Sequence, residues 1–188
     1  MFRPGKFAAL GAIMICLAWV AIAQADDDMI DNPAYQSWAK YKPGTWVKYQ
    51  TDSEAMGSKN TIITTQTLKD LTPDKATVEI LSSMSVSGNK MDMPPQLQEI
   101  TAKIKRPPAP PANSEAPKTE QGTEDLKVGD KTYSCKWTKV TNEQNGMKIT
   151  AKTWTCDDVP GLVVKMESST SGSMTATNTM ALVECEIK

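Results

Sequence analysis

Asn145-Gly146 constrains this chain more than any other feature. Both residues tolerate the positive φ that a two-residue type I′ turn needs, and alternating segments flank them, so the dipeptide predicts a β-hairpin. Placing the turn also places the register. Counting outward one residue at a time sets Trp137 opposite Trp154 and Cys135 opposite Cys156. Starting from the flanking Gln144–Met147 pair, alternation puts both like pairs at non-hydrogen-bonded positions, where side chains approach most closely. Two like pairs from one turn assignment predict a structural cross-strand disulfide, Cys135–Cys156, beside an indole pair. Closing a loop of about 20 residues adds roughly 3 kcal/mol in the chain-entropy model. The indole pair adds roughly 0.5–1.5 kcal/mol beyond area burial. Tyr133 shares this face, and the cysteine spacing is far from the C-x-x-C of redox catalysts.

A disulfide needs an oxidising compartment, and the N-terminus directs the chain to one. Arg3 and Lys6 open a stretch whose residues 7–23 are apolar, Ala23-Gln24-Ala25 offers small residues for cleavage, and Asp26-Asp27-Asp28 begins a polar chain. The favoured reading is a secretory signal over residues 1–25, giving a periplasmic or secreted protein. The competing one is a retained membrane anchor, for which the apolar run is at the short limit. Lipid attachment at Cys16 is disfavoured by Ile15, where a small residue is wanted, and Cys16 leaves with the signal. Cleavage removes two of the 21 basic residues and none of the 22 acidic ones, leaving 19 against 22 and a net charge near −3. With no basic block, neither nucleic acid nor an anionic membrane is expected as partner, and no stable membrane span follows cleavage.

Residues 26–43 read as an N-terminal segment with one short helix. Asn32 caps it, Pro33 occupies the first position, and Pro43-Gly44 stops it, predicting a helix over 33–41 with Tyr35, Trp38 and Tyr41 on one side. Residues 44–188 read as an antiparallel β domain. Alternation marks strands over 45–51, 60–69, 76–87 and 97–105, with turns at Gly57-Ser58, Thr72-Pro73-Asp74 and Gly88-Asn89. Residues 106–123 carry five prolines and read as a solvated loop, disordered or a lid. Strands resume over 125–128, 131–141, 147–157, 162–168 and 173–187. The expected fold is mainly β: a single curved antiparallel sheet or half-barrel of about eight to nine strands with one short N-terminal helix.

The chain has no histidine. That removes the commonest general base, the usual activator of Ser or Cys, and the commonest zinc ligand. No phosphate loop, nucleophile elbow or calcium loop is present, so neither catalysis nor a cofactor is expected. Asp26-Asp27-Asp28 and Asp157-Asp158 read as solvated carboxylates. Met84, Met91 and Met93 lie near one turn, with Met56 elsewhere; thioethers are Cu(I) ligands, but Met also fills cores. Cys185, between Val183 and Ile187 in alternation, reads as buried and inert, with an intermolecular disulfide as the alternative.

The runs GTWVKYQT (44–51), VGDKTYSCKWTKV (128–140) and KTWTCDDVPGLVVKMES (152–168) resemble a group of secreted bacterial proteins with a VG.K.Y.C.W strand followed by a W.s..VPGG.vK strand. That group is similar in turn to the periplasmic lipoprotein-carrier superfamily of LolA and LolB. The resemblance spans about residues 44–188, and Leu162 stands where the group has a second Gly. It implies a curved sheet closed on one side by helices, with an apolar concave face for acyl chains. No functional residue is carried over, because the Arg used inside a carrier cavity has no counterpart; Arg106 stands at the edge of the Pro-rich loop.

The expected function is a non-enzymatic envelope module. Trp46, Trp137 and Trp154 would present an apolar face to a lipid or other apolar ligand, or to an envelope protein partner. The alternative for each of the three is core packing. A structural or assembly subunit acting through an exposed strand edge is the second expectation, and Cu(I) binding through the methionines is third.

Overall fold

The structure is a computed structural model describing residues 29–86, 89–108, 117–144, 146–172 and 175–188. Residues 1–25, expected to be a secretory signal, with Cys16 among them, Asp26-Asp27-Asp28 and the turn residue Asn145 lie outside the described residues.

The chain runs β1 (Met29–Asp31), α1 (Pro33–Trp38), β2 (Trp46–Ala55), β3 (Ser58–Leu71), β4 (Lys75–Val86), β5 (Asn89–Asp92), β6 (Gln96–Thr101), β7 (Lys103–Lys105), β8 (Lys118–Val128), β9 (Lys131–Gln144), β10 (Met147–Thr155), β11 (Val163–Ser171) and β12 (Ala176–Glu186). A ten-stranded antiparallel sheet has the order β5-β4-β3-β2-β12-β11-β10-β9-β8, with β6 also pairing β4. The sheet is not closed into a barrel, though it curls enough to bring β8 near β12. β1 and β7 form a separate two-stranded ribbon.

The local signals act as their chemistry requires. Asn32 Oδ1 accepts the Ala34 N–H at 3.0 Å, and Pro33 fills the first helical position. Helix α1 is shorter than expected, ending at Trp38: the Tyr41 N–H bonds Trp38 O as a turn, and the Gly44 N–H, at φ 91°, bonds Leu68 O. Tyr35 and Trp38 are buried, whereas Tyr41 is only half-buried.

The 145–146 hairpin has the expected register, from Gln144–Met147 through Trp137–Trp154. It stops at Lys136–Thr155, one residue short of the cysteines. Cys156 leaves the ladder to organise the next turn, its N–H bonding Leu162 O at 2.8 Å and its carbonyl accepting from Val159 N. Both cysteines are free thiols here, so the expected Cys135–Cys156 bond is not formed in this structure.

Two other segments differ from expectation. Residues 118–123 belong to β8 rather than to the Pro-rich loop, because β9 is long enough to pair all of Lys118–Val128 and satisfies backbone groups that the residues' weak strand propensity leaves undecided. Residues 97–105 form two strands, because Ala102 leaves the β4 edge. Its N–H bonds Asp74 O and its carbonyl accepts from Asn32 N, handing the chain from β4 to β1.

The core occupies one end of the sheet. Val47, Tyr49, Leu68, Ala76, Val78, Tyr133, Cys135, Trp154, Val164 and Leu182 are buried there with Tyr35 and Trp38 of α1 and with Cys156 and Val159. All three strand irregularities, at Leu68/Asp70, Leu182/Glu184 and Trp154/Thr155, lie at this end, where they add twist. In the other half, residues 51–55, 58–63, 82–86, 147–151, 165–171 and 176–181 include no buried residue.

Candidate functional site

The open half carries one continuous row of facing residues. Met91 pairs Met84, Met84 pairs Ile62, Ile62 pairs Thr51, Thr51 pairs Met180, Met180 pairs Met166, and Met166 pairs Thr153. Directly opposed residues share a face, and so do residues two apart along a strand. Thr51 follows buried Tyr49 by two, Met180 precedes buried Leu182 by two, and Met166 follows buried Val164 by two. On β2 and β12 the row is therefore the next rung of the core-facing side, while at β10 the buried Trp154 pairs Lys165 on the other side of the sheet from Met166 and Thr153.

From Met91 to Met166 there are five strand spacings, about 24 Å at roughly 4.8 Å each. Met91 is 58% exposed, while Met84, Ile62, Met180 and Met166 are half-buried. No described methionine is buried, and of the row's methionines Met180 is the one packed against the edge of the core.

Sequence reasoning singled out Met84, Met91, Met93 and Met56 but not Met166, Met180 or Ile62. Met84 and Met91 do meet. Met93, whose N–H bonds Ser82 O at 2.9 Å, lines an open cleft of about 290 Å³ with Ile63, Thr65, Leu81, Ser82, Ser83 and Asp92. Met56 sits at φ 51° in the β2–β3 turn, 82% exposed. Among the described residues, no cluster of Cys, Asp or Glu is arranged to hold a metal ion.

The tryptophans separate into two places. Trp154 is buried, and its Nε1 donates to Glu124 Oε2 at 2.8 Å. Trp137 is half-buried opposite Gly122. Lys152 Nζ stands 4.4 Å from the Trp137 ring centre and 4.2 Å from that of Trp154, and it bonds Glu124 Oε2 at 3.2 Å. Lys165 approaches Trp154 at 5.0 Å. A cation held between two indoles is worth about 0.5–2 kcal/mol, so this group ties β8, β9, β10 and β11 together. The Glu124 carboxyl is held below its ordinary range by the indole bond first and by Lys152 second. Trp46 lies on the side of β2 opposite buried Val47, donating to Glu186 Oε2 at 3.1 Å under Lys48.

The third cluster is sulfur and phenol. Cys135 Sγ donates to Tyr133 O at 3.4 Å, and Tyr133 Oη contacts Cys185 Sγ at the same distance. Burial pushes the Cys135 thiol up, with Cys156 the next cause. Burial likewise raises Tyr133, followed by its bond to Cys185. Cys185 is half-buried, while Val183 and Ile187 beside it are exposed. A second open cleft, about 300 Å³, lies between α1 and the 157–162 turn and is lined by Asp31, Gln36, Lys40, Asp157 and Leu162.

No protein-family model matches the chain, and no curated protein matches it significantly.

Proposed function

We propose that the protein is an exported, non-enzymatic module of the bacterial envelope that holds a lipid acyl chain along the methionine row. The observation that carries this reading is the row itself: a mainly apolar strip that continues the core-facing side of β2 and β12, holds no buried residue, and is comparable in length to an extended fatty acyl tail. Unbranched, polarizable methionines suit an apolar ligand of variable shape. Similarity to the lipoprotein-carrier superfamily points the same way, with one six-residue helix here where that superfamily has several. In this reading the acyl surface is built by Met84, Met91, Met166, Met180 and Ile62. Trp137 and Trp154 brace the sheet, and Trp46 lies on the other side.

In the oxidising compartment to which the leader directs the chain, Cys135 and Cys156 close a disulfide that fastens β9 to the 156–162 turn.

The test is native mass spectrometry of protein purified from envelopes without detergent. Retained phospholipid or fatty acid is expected, with each of Met84→Ser and Met180→Ser weakening retention about tenfold through lost apolar burial. A mass equal to the bare chain would remove the proposal.

A second reading rests on β8, whose eleven residues pair with β9 and, among the described residues, with no other strand, so that its outer edge could receive an envelope protein partner. Co-purification of a partner that Thr123→Pro abolishes would favour it.

A further inference from the structure

We infer that Met84, Met91, Met166 and Met180 form an oxidant-accessible modification site, at which peroxide-class oxidants turn the face beyond the core from apolar to polar while the fold stays intact.

Two observations carry this. The first is where thioethers are missing: the buried core is built from Tyr, Trp, Val, Leu, Ala and Cys, with no methionine among the described buried residues. Methionine oxidation commonly damages proteins by placing a polar, chiral sulfoxide inside a packed core. Here no described thioether is enclosed in the core, and the one row methionine packed against it, Met180, is only half-buried. The second is where thioethers are concentrated. Met84 opposes Met91 and Met166 opposes Met180, so the row holds two cross-strand methionine pairs, all four reachable without unfolding.

The chemistry balances. A thioether lone pair attacks one peroxide oxygen, an S–O bond forms as the O–O bond breaks, and water leaves after proton transfer. Sulfur loses two electrons and the peroxide gains them. The two pairs would then present facing sulfoxides towards either end of the strip, flanking Ile62 and Thr51. The effect on a bound ligand rests on the acyl-chain reading above; the modification itself does not.

The experiment uses the full mature chain, reduced or treated with hydrogen peroxide. Its readouts are sulfoxide positions by peptide mapping, melting temperature, and retention on a hydrophobic-interaction column. A variant carrying Met84→Leu, Met91→Leu, Met166→Leu and Met180→Leu isolates the row, and Met29→Leu with Met56→Leu is the control for exposed methionines elsewhere. The expected result is oxidation of all four row positions with melting unchanged within a few degrees and column retention clearly reduced. The four-leucine variant should keep its retention after peroxide, while the control variant should lose it as the wild type does. The inference is overturned if row thioethers survive while Met56 is oxidised, if oxidised wild type melts much earlier, or if the four-leucine variant responds like wild type. Bound lipid is measured on the same samples. A reduced protein without lipid would refute the acyl-chain reading alone, since the map and the column still judge the modification site.

Discussion

Gly122 and Trp137 face each other across β8 and β9 so closely that a Cβ at position 122 would stand 2.6 Å from Trp137 Cζ2. The indole cannot retreat freely, because Lys152 sits against its ring. Gly122→Ala is therefore expected to cost about 1–3 kcal/mol by overpacking. Trp137→Leu should relieve part of that cost in the double variant. A urea-denaturation double-mutant cycle checks it, and additive effects would mean the two residues are not in contact.

Glu124 makes the fold sensitive to acid at one identifiable place. Its carboxyl is depressed in the folded state by Trp154 and then by Lys152. A depressed carboxylate stabilises above the ordinary glutamate range, and that stabilisation is lost as pH falls through and below it. Glu124→Gln should narrow the gap between urea midpoints measured at neutral pH and at about pH 3. An unchanged gap would show that the indole and ammonium do not act on this carboxylate.

Alkali should act through the tyrosines. Burial raises Tyr49 and Tyr133 well above the usual phenol value, and Tyr41 is raised for the same leading reason. A raised folded value leaves stability intact below the unfolded value, about pH 10, and erodes it as pH climbs beyond. The tyrosinate absorbance of these residues is expected to appear only together with loss of the tryptophan near-ultraviolet circular dichroism. Ionisation without unfolding would contradict their placement.

The proposed disulfide has a direct readout. Non-reducing peptide mapping of exported protein should link Cys135 to Cys156 and leave Cys185 free. Reduction should then lower stability by roughly 3 kcal/mol in the chain-entropy model. Recovery of a Cys185-linked dimer would instead favour the intermolecular role of that residue.

The two halves of the sheet should differ sharply in what they tolerate. Leu68 is fully buried, and Leu68→Ala is expected to cost about 2–5 kcal/mol. Met180→Ala, only one strand beyond β2 but in the uncovered half, should cost about 1 kcal/mol or less in the ligand-free chain. Thermal melts of the two variants separate core from open face, and equal losses would place Met180 in the core.

Much of the fold was legible because it is written locally. A cap needs only Asn32 and Pro33, and a two-residue reversal at 145–146 fixes every pairing along its own hairpin through Trp137–Trp154. The candidate site was less legible. Met84, Met91 and Met93 are close in sequence and drew attention together, and the β4–β5 pairing brings them to one edge of the sheet, with Met93 bonded to Ser82 just past the end of β5. Met166 and Met180 belong with Met84 only through the β2–β12 pairing, which joins residues more than a hundred positions apart. Gly122 was hidden within a segment that reads as loop, and Glu124 stood just past its end, until β9 pairs both.

The sequence by itself determined a strand-rich antiparallel domain, the site and register of the 145–146 hairpin, and the capped start of helix α1, because turn geometry and capping depend on a few adjacent residues. Tertiary structure decided which distant strands are neighbours, how far the core extends, and that Cys156 turns away from Cys135's strand into the following loop. Alternation assigns each side chain to one of two faces but cannot say which strands lie side by side, and only that adjacency lines four scattered methionines into one row.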